Sequence, residues 1–301
     1  MPELREPLEI RPALVTRTAR GLVRGLRGQT VLKVGLAIVV AFVVMTVVAR
    51  TWPSLNGFHP TSYRDAPRLH GPSAIHWLGT DQLQRDVFTR VIAGGYASLV
   101  VAFSAVALSM VVGSVLGWIS GYAGGWLDRC LSLLMDAIYS FPSMILAIVL
   151  VAMFGSGLAP MIWAVGFVYI PTYFRVTRAE SLQVRETTYV EAVRAVGASR
   201  TRIILRHVAP NTVNAIMAVS SFNLADAILT VAALSFLGFG LPPPAPDWGF
   251  DIQNGQKYLQ SGSWWLITFP GLMIIALSLG FGLIGEGVSD LVNPRRRHRL
   301  G

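Results

Sequence analysis

The chain has 301 residues, of which 53% are hydrophobic and only 14% charged, with a net charge of +9 and a mean hydropathy of +0.54. A soluble domain carries about 25% charged residues, so this composition excludes an ordinary soluble protein and points to a membrane protein. Cys130 is the single cysteine, which excludes an intrachain disulfide and a Cys-rich metal site.

In chain order, residues 1–30 form a basic segment, too long and too basic for a secretory leader, so the run that follows is read as a retained span. Residues 34–49 contain no Asp, Glu, Lys or Arg and give the first transmembrane helix, 31–50. Residues 51–90, rich in Pro, Gly, Trp and His, form an extracytoplasmic segment. The charge-free run 91–127 gives a span at 94–120 that breaks near "GYAGG" (121–125). Residues 130–174 hold only Asp136 and are too long for one crossing of about 20 residues, so "FGSGLAP" (154–160) is a hairpin turn between two spans within 130–176. An inner loop, 179–209, precedes a span at 212–239. An outer loop with "PPPAP" (242–246) precedes the last span at 264–285, and a basic tail occupies 292–301. The expectation is an all-α membrane protein of six transmembrane helices, with a permease core of five at 91–291. No alternating strand pattern argues for a β-barrel. Basic residues are retained on the cytoplasmic side, and 19 of the 25 Lys and Arg fall in 1–33, 121–130, 175–206 and 295–299. Both termini are therefore expected in the cytoplasm, and the positive charge reads as topology and lipid headgroup contact rather than nucleic-acid binding.

The inner loop is the unusual part. Thr188 with Glu191 reads as a capping box, and Tyr189, Ala192, Val193 and Val196 then fall on one helical stripe. Gly197 ends that helix, Ser199 caps a second in which Ile203, Ile204 and Val208 are buried, and Pro210 closes it and begins the next span. Such an object could lie on anionic headgroups or serve as a docking knob for a cytoplasmic protein. A DNA-binding helix-turn-helix has the same outline, but tethering between two spans argues against it.

"EAVRAVGASRTRIILRHVAP" resembles the EAA signature of membrane subunits of bacterial ATP-binding-cassette importers, through Glu191, Ala192, Gly197 and Pro210. Val193 stands where a second alanine is usual, and His207 and Ala209 stand where Ile and Leu are usual. "HWLGTDQLQRDVFTRVIAGGYASL" (76–99) is similar to a segment of the oligopeptide and dipeptide branch, with Gln84 replacing a glycine and Trp77 a proline. "DRCLSLLMDAIYSFPSMILAI" (128–148), with Leu133 at an arginine position, and "ALSFLGFGLPPPAPDWG" (233–249) also match that branch. The resemblance implies the second-type permease of a type I importer in a bacterial inner membrane. It implies a homologous second permease, two cytoplasmic ATP-binding subunits or domains, and an extracytoplasmic substrate-binding protein. Coupling to the ATPases would fall to Glu191, Ala192, Val193, Val196, Gly197, Ala198 and Pro210. Nickel or glycoside importers use nearly the same permease and stay open as alternatives.

Asp136 and Asp226 each sit in an apolar span, at a cost of about 2.5–3.5 kcal/mol by insertion scales, so something must hold them. A hydrogen bond within the bundle, a wet cavity, or a proton relay of an ion-coupled carrier would each do so. Asp136 with Ser140, and Asn223 with Asp226 at i, i+3, are candidate pathway residues. The histidines show no metal-ligand spacing, and no phosphate-binding loop occurs, so no cofactor is expected on this chain; ATP and Mg would sit on the partners. Trp52, Trp77, Trp126, Trp264 and Trp265 sit near span ends, and most of them read as interfacial anchors rather than ligands.

Overall fold

The computed structural model describes residues 30–52, 57–62 and 66–292. Residues 1–29 of the expected basic segment 1–30, and 293–301 of the expected basic tail 292–301, lie outside the described residues. Ten α-helices organise the described chain: α1 (Thr30–Thr51), α2 (Val87–Ala123), α3 (Gly125–Tyr139), α4 (Ser143–Phe154), α5 (Leu158–Arg185), α6 (Thr188–Ala195), α7 (Arg200–Ile203), α8 (Ala209–Leu234), α9 (Trp248–Gln256) and α10 (Trp265–Val292).

Four helical stretches are long and apolar enough to cross a membrane: α1, α2, the run from Arg200 to Phe239, and α10. A fifth candidate is α3 with α4, bent by 88°. The sequence reading had one span there, with no bend of that size. Pro142 has no N–H to give to the α3 ladder and disfavours helix at Phe141, so α3 ends and the chain turns. The expected hairpin turn follows, with Gly155 and Gly157 at φ 93° and 126°. Helix α5 has 28 residues, but its second half carries Arg175, Arg178, Glu180 and Arg185 and is not uniformly apolar.

The contacts of the glycines fix the directions of the helices. On α2, an added Cβ on Gly113, Gly117 or Gly121 would lie 2.6–2.7 Å from Tyr173 Cβ, Thr177 Cβ or Ser181 Cβ of α5. Both numberings rise together, so α2 and α5 run parallel. The missing side chains let two backbones approach, the source of helix affinity where lipid is as apolar as the core. Ser109 Oγ, 2.7 Å from the Gly166 carbonyl, extends this seam. Helices α1 and α10 run antiparallel, with Leu32 against Gly287 and Ile38 against Gly280.

The end of the bundle where α2 begins is held by buried polar groups. Arg90, 2% exposed, bonds Asp251 of α9 at 2.6 Å, and donates also to the carbonyls of Pro60 and Pro244. Trp248 is fully buried on Gly94 and Gly95, its indole N–H on the Val91 carbonyl at 2.7 Å. Asp81 accepts from the Leu83 and Arg85 amides and from the Arg85 guanidinium, while His76 Nδ1 lies 2.9 Å from Asp86, whose carboxylate caps α2 at Thr89. Gln84 has φ 62°, the left-handed region that favours the glycine usual at this position. Trp265 is not an interfacial anchor. It is buried, bonds the Thr80 carbonyl at 3.1 Å and packs on Gly79. Trp77 stands edge-on to Phe88 and, like Trp52, Trp126 and Trp264, is exposed.

Candidate functional site

Two features lie away from that clamped end. The first is the loop between α5 and α8. Helix α6 begins with Thr187 as its N-cap, one residue earlier than the capping box required. The Thr187 hydroxyl donates backwards to the Val184 carbonyl, and no side chain caps α6. Glu191 is exposed, and its carboxylate is left without a hydrogen bond or ion pair among the described residues. The end of α6 follows the sequence reading. Gly197 has φ 83°; its N–H bonds the Arg194 carbonyl, and the Ala198 N–H bonds that of Val193. Those two bonds make a Schellman motif, with Ala198 and Val193 in the same apolar cluster.

The apolar stripe divides in two. Val190, fully buried, packs with Tyr122, Ile203 and Val208, and Val193 and Tyr189 lean on the same cluster. Ala192 and Val196 instead face outward, and Val196 is 85% exposed at the tip. Ser199 caps α7 through the Arg202 amide, as expected. Pro210 does not close a second helix. One helix runs from Arg200 to Phe239, with a π-turn at Ile204–Val208 where the proline lacks its N–H. The His207 carbonyl there accepts from the Tyr189 hydroxyl and Asn211 Nδ2, joining α6 to the long helix. Burial pushes the Tyr189 phenol above its ordinary pKa, so it remains a neutral donor. At the root of the loop, Arg185 donates to the Gly121 and Tyr122 carbonyls of α2, and Arg178 bonds Asp128 with two nitrogens.

The second feature is a cleft of about 420 Å³ lined by residues including Tyr139, Ser143, Tyr169, Thr172, Asn223 and Asp226. Of the four expected pathway residues, the cleft gathers Asn223 and Asp226. Asp226 accepts a 2.6 Å bond from the Tyr169 hydroxyl, and the Asn223 side chain is buried beside Tyr173. Asp136 and Ser140 do not line it. Asp136 is not held inside the bundle; its side chain is 62% exposed and pairs with Arg175 at 2.7 Å. Ser140 is exposed and bonds the Ala137 carbonyl, closing α3. Arg175 also lies 3.8 Å over the ring of Tyr139, a wall of the cleft. Tyr169 and Arg175 were missed in the sequence. Polar side chains at 169, 172 and 175, three residues apart on an apolar helix, were the available signal.

A family model described as a binding-protein-dependent transport system inner membrane component matches residues 113–298. A dipeptide transport system permease of Alkalihalophilus pseudofirmus is 37% identical over 264 residues, 88% of this chain and 86% of that protein. A probable D,D-dipeptide transport system permease of Escherichia coli is 35% identical, covering 96% of each chain. A glutathione transport system permease of Pectobacterium atrosepticum is 36% identical, over 84% of this chain and 85% of that one. Among solved structures, a chain of a methionine ABC transporter in an inward-facing conformation aligns with a TM-score of 0.56 at 18% identity. The alignment covers 68% of this chain and 97% of that one.

Proposed function

The chain belongs to the family of inner membrane components of binding-protein-dependent transport systems, and from that premise we propose that it is the permease subunit of an ATP-driven peptide importer. Its three named relatives carry a dipeptide, a D,D-dipeptide and glutathione in their descriptions, all compounds with amide-linked residues and a free amine. The chain crosses the membrane six times, α3 and α4 together making one crossing and α5 another. The parallel α2 and α5 and the antiparallel α1 and α10 support this count. Both termini and the loop 179–209 are then cytoplasmic, and the clamped end faces outward.

The observation that carries the reading is the contrast within the loop: Val190, Ile203 and Val208 lock it to the bundle while Val196 stays exposed at its tip. An apolar tip ringed by Glu191, Arg194, Arg200 and Arg202 fits a groove on an ATPase subunit. Glu191, Ala192, Val193, Val196, Gly197, Ala198 and Pro210 form or shape that contact. ATP and Mg are bound by the two ATPases, and substrate is delivered by an extracytoplasmic binding protein. The exposed apolar face with Leu133 on α3, Phe141 at the bend, and Met153 and Phe154 on α4 suits a homologous second permease and lipid.

Reconstitution with the neighbouring subunits tests this. Uptake of a dipeptide into proteoliposomes should require ATP and survive an ionophore. Uptake that collapses with the ionophore and persists without ATP would make the protein an ion-coupled carrier instead. For sidedness, a Cys at Gln256 in a Cys130→Ser background should label from outside and one at Ala195 from inside.

A further inference from the structure

We infer that the Asp226 cleft is a cation-selective station that takes the ammonium group of the transported compound; this rests on the peptide-importer reading for the identity of that compound, though not for the sign of its charge. The cleft is walled by four helices, α3, α4, α5 and α8, and the charges around it are not equivalent. Arg175, over the Tyr139 ring, is already neutralised by Asp136 at 2.7 Å. Asp226 is exposed to the cleft and bonded to the Tyr169 hydroxyl, a neutral donor, with no ion pair among the described residues. A hydroxyl fixes the orientation of a carboxylate without cancelling its charge. One turn before it, the Asn223 amide nitrogen is buried without a hydrogen bond, a second polar group still able to donate. A carboxylate in an apolar helix is costly, and in low dielectric a small cation entering the cleft is drawn to it far more than in water. An ammonium group, with three donors, can bond Asp226 while the neighbouring peptide oxygen meets the Asn223 amide. The station therefore selects the sign of the charge and leaves the side chains of the compound unread.

The test has two arms on the reconstituted full complex. In the first, Thr172→Cys, in a Cys130→Ser background, is treated with a cationic and an anionic methanethiosulfonate, and the two rates are normalised to a free thiol. The cationic reagent should be favoured by about tenfold, as expected when roughly one charge pair is gained, and Asp226→Asn should remove most of that preference. No cation preference in the Asp226 background would mean that a partner's basic group neutralises the carboxylate, and would overturn the inference. In the second arm, Asp226→Asn should lower uptake of tri-alanine at least fivefold while ATP hydrolysis stimulated by the binding protein stays within twofold; Tyr169→Phe should fall between. Unchanged tri-alanine uptake in Asp226→Asn overturns the station and leaves the peptide reading intact. A complex that imports no peptide yet keeps the Asp226-dependent reagent preference supports the station and sinks the peptide reading.

Discussion

Val196→Asp separates the stability of the loop from its use. Val196 is 85% exposed, so the exchange removes almost no contact within this chain, and a surface change of this kind costs less than about 0.5 kcal/mol. If the tip enters a partner's groove, the same exchange forfeits the burial of a valine, about 1.5 kcal/mol, and brings a carboxylate into a partly dry contact. A combined loss of about 3 kcal/mol would weaken docking on the order of 100-fold. The variant should reach the membrane and unfold at the unmodified temperature, yet lose the ATPases on purification or lose stimulation of hydrolysis by the loaded binding protein. Val190→Ala is the converse. Val190 is fully buried among Tyr122, Ile203 and Val208, and removing two methyl groups costs about 2 kcal/mol of loop stability, visible as protease cleavage near 186–199. Gly197→Val has open space around the new Cβ but φ 83°, so its cost of about 1–3 kcal/mol is backbone strain. Full transport and full ATPase retention by Val196→Asp would refute the docking argument and leave the loop as a membrane-surface element.

Because Glu191 caps nothing, Glu191→Gln should leave the thermal midpoint unchanged, and any loss of ATPase binding on pull-down would then report a contact with the partner. Arg90→Met should destabilise the detergent-solubilised subunit by about 3–5 kcal/mol, because Asp251 is left without its cation; adding Asp251→Leu should recover part of the loss in thermal unfolding, and a double variant worse than the single would contradict the clamp. Gln84→Gly relieves a left-handed side chain and should raise the thermal midpoint, by about 0.5–1 kcal/mol in stability. Gly117→Leu would put its Cβ 2.7 Å from Thr177 Cβ and should abolish membrane abundance on immunoblots, whereas Gly271→Leu, with nothing within 4 Å, should be tolerated.

Charge-free runs made the long helices legible, and turn glycines marked their breaks at 124–125 and 155–157, because membrane spans obey one-dimensional rules of length and polarity. A hinge near Ser140 and Pro142 was legible, but not the 88° bend, since Pro142 reads equally as a kink or a break until the packing decides. The loop was half legible. Gly197 and Ser199 act locally and were read correctly, but which side of α6 is buried depends on Tyr122 and Val208, distant in sequence, so the stripe pattern grouped Val193 with Val196 wrongly. Pro210 looked like a terminator because sequence alone does not reveal that a π-turn can carry a helix past it. The pairing of Arg175 with Asp136 and of Tyr169 with Asp226 joins positions 39 and 57 residues apart, beyond any periodicity.

The helical run that begins at Arg200 continues to Gly238, where the backbone leaves the helix at φ 92°, and is on the order of 55 Å long at 1.5 Å per residue. A rod of that length turns a tilt of about 5° at one end into a sweep of roughly 5 Å at the other. At its far end, the Gly249 backbone of α9 sits against the Ala232 carbonyl and Ser235, too close for any Cβ, so α9 must travel with it. Helix α9 also carries Asp251, the counter-ion of Arg90. On the proposed coupling, a push at Val196, relayed by the Val190–Ile203–Val208 contact, would reach the Arg90–Asp251 latch through one lever arm and one patch of bare backbone.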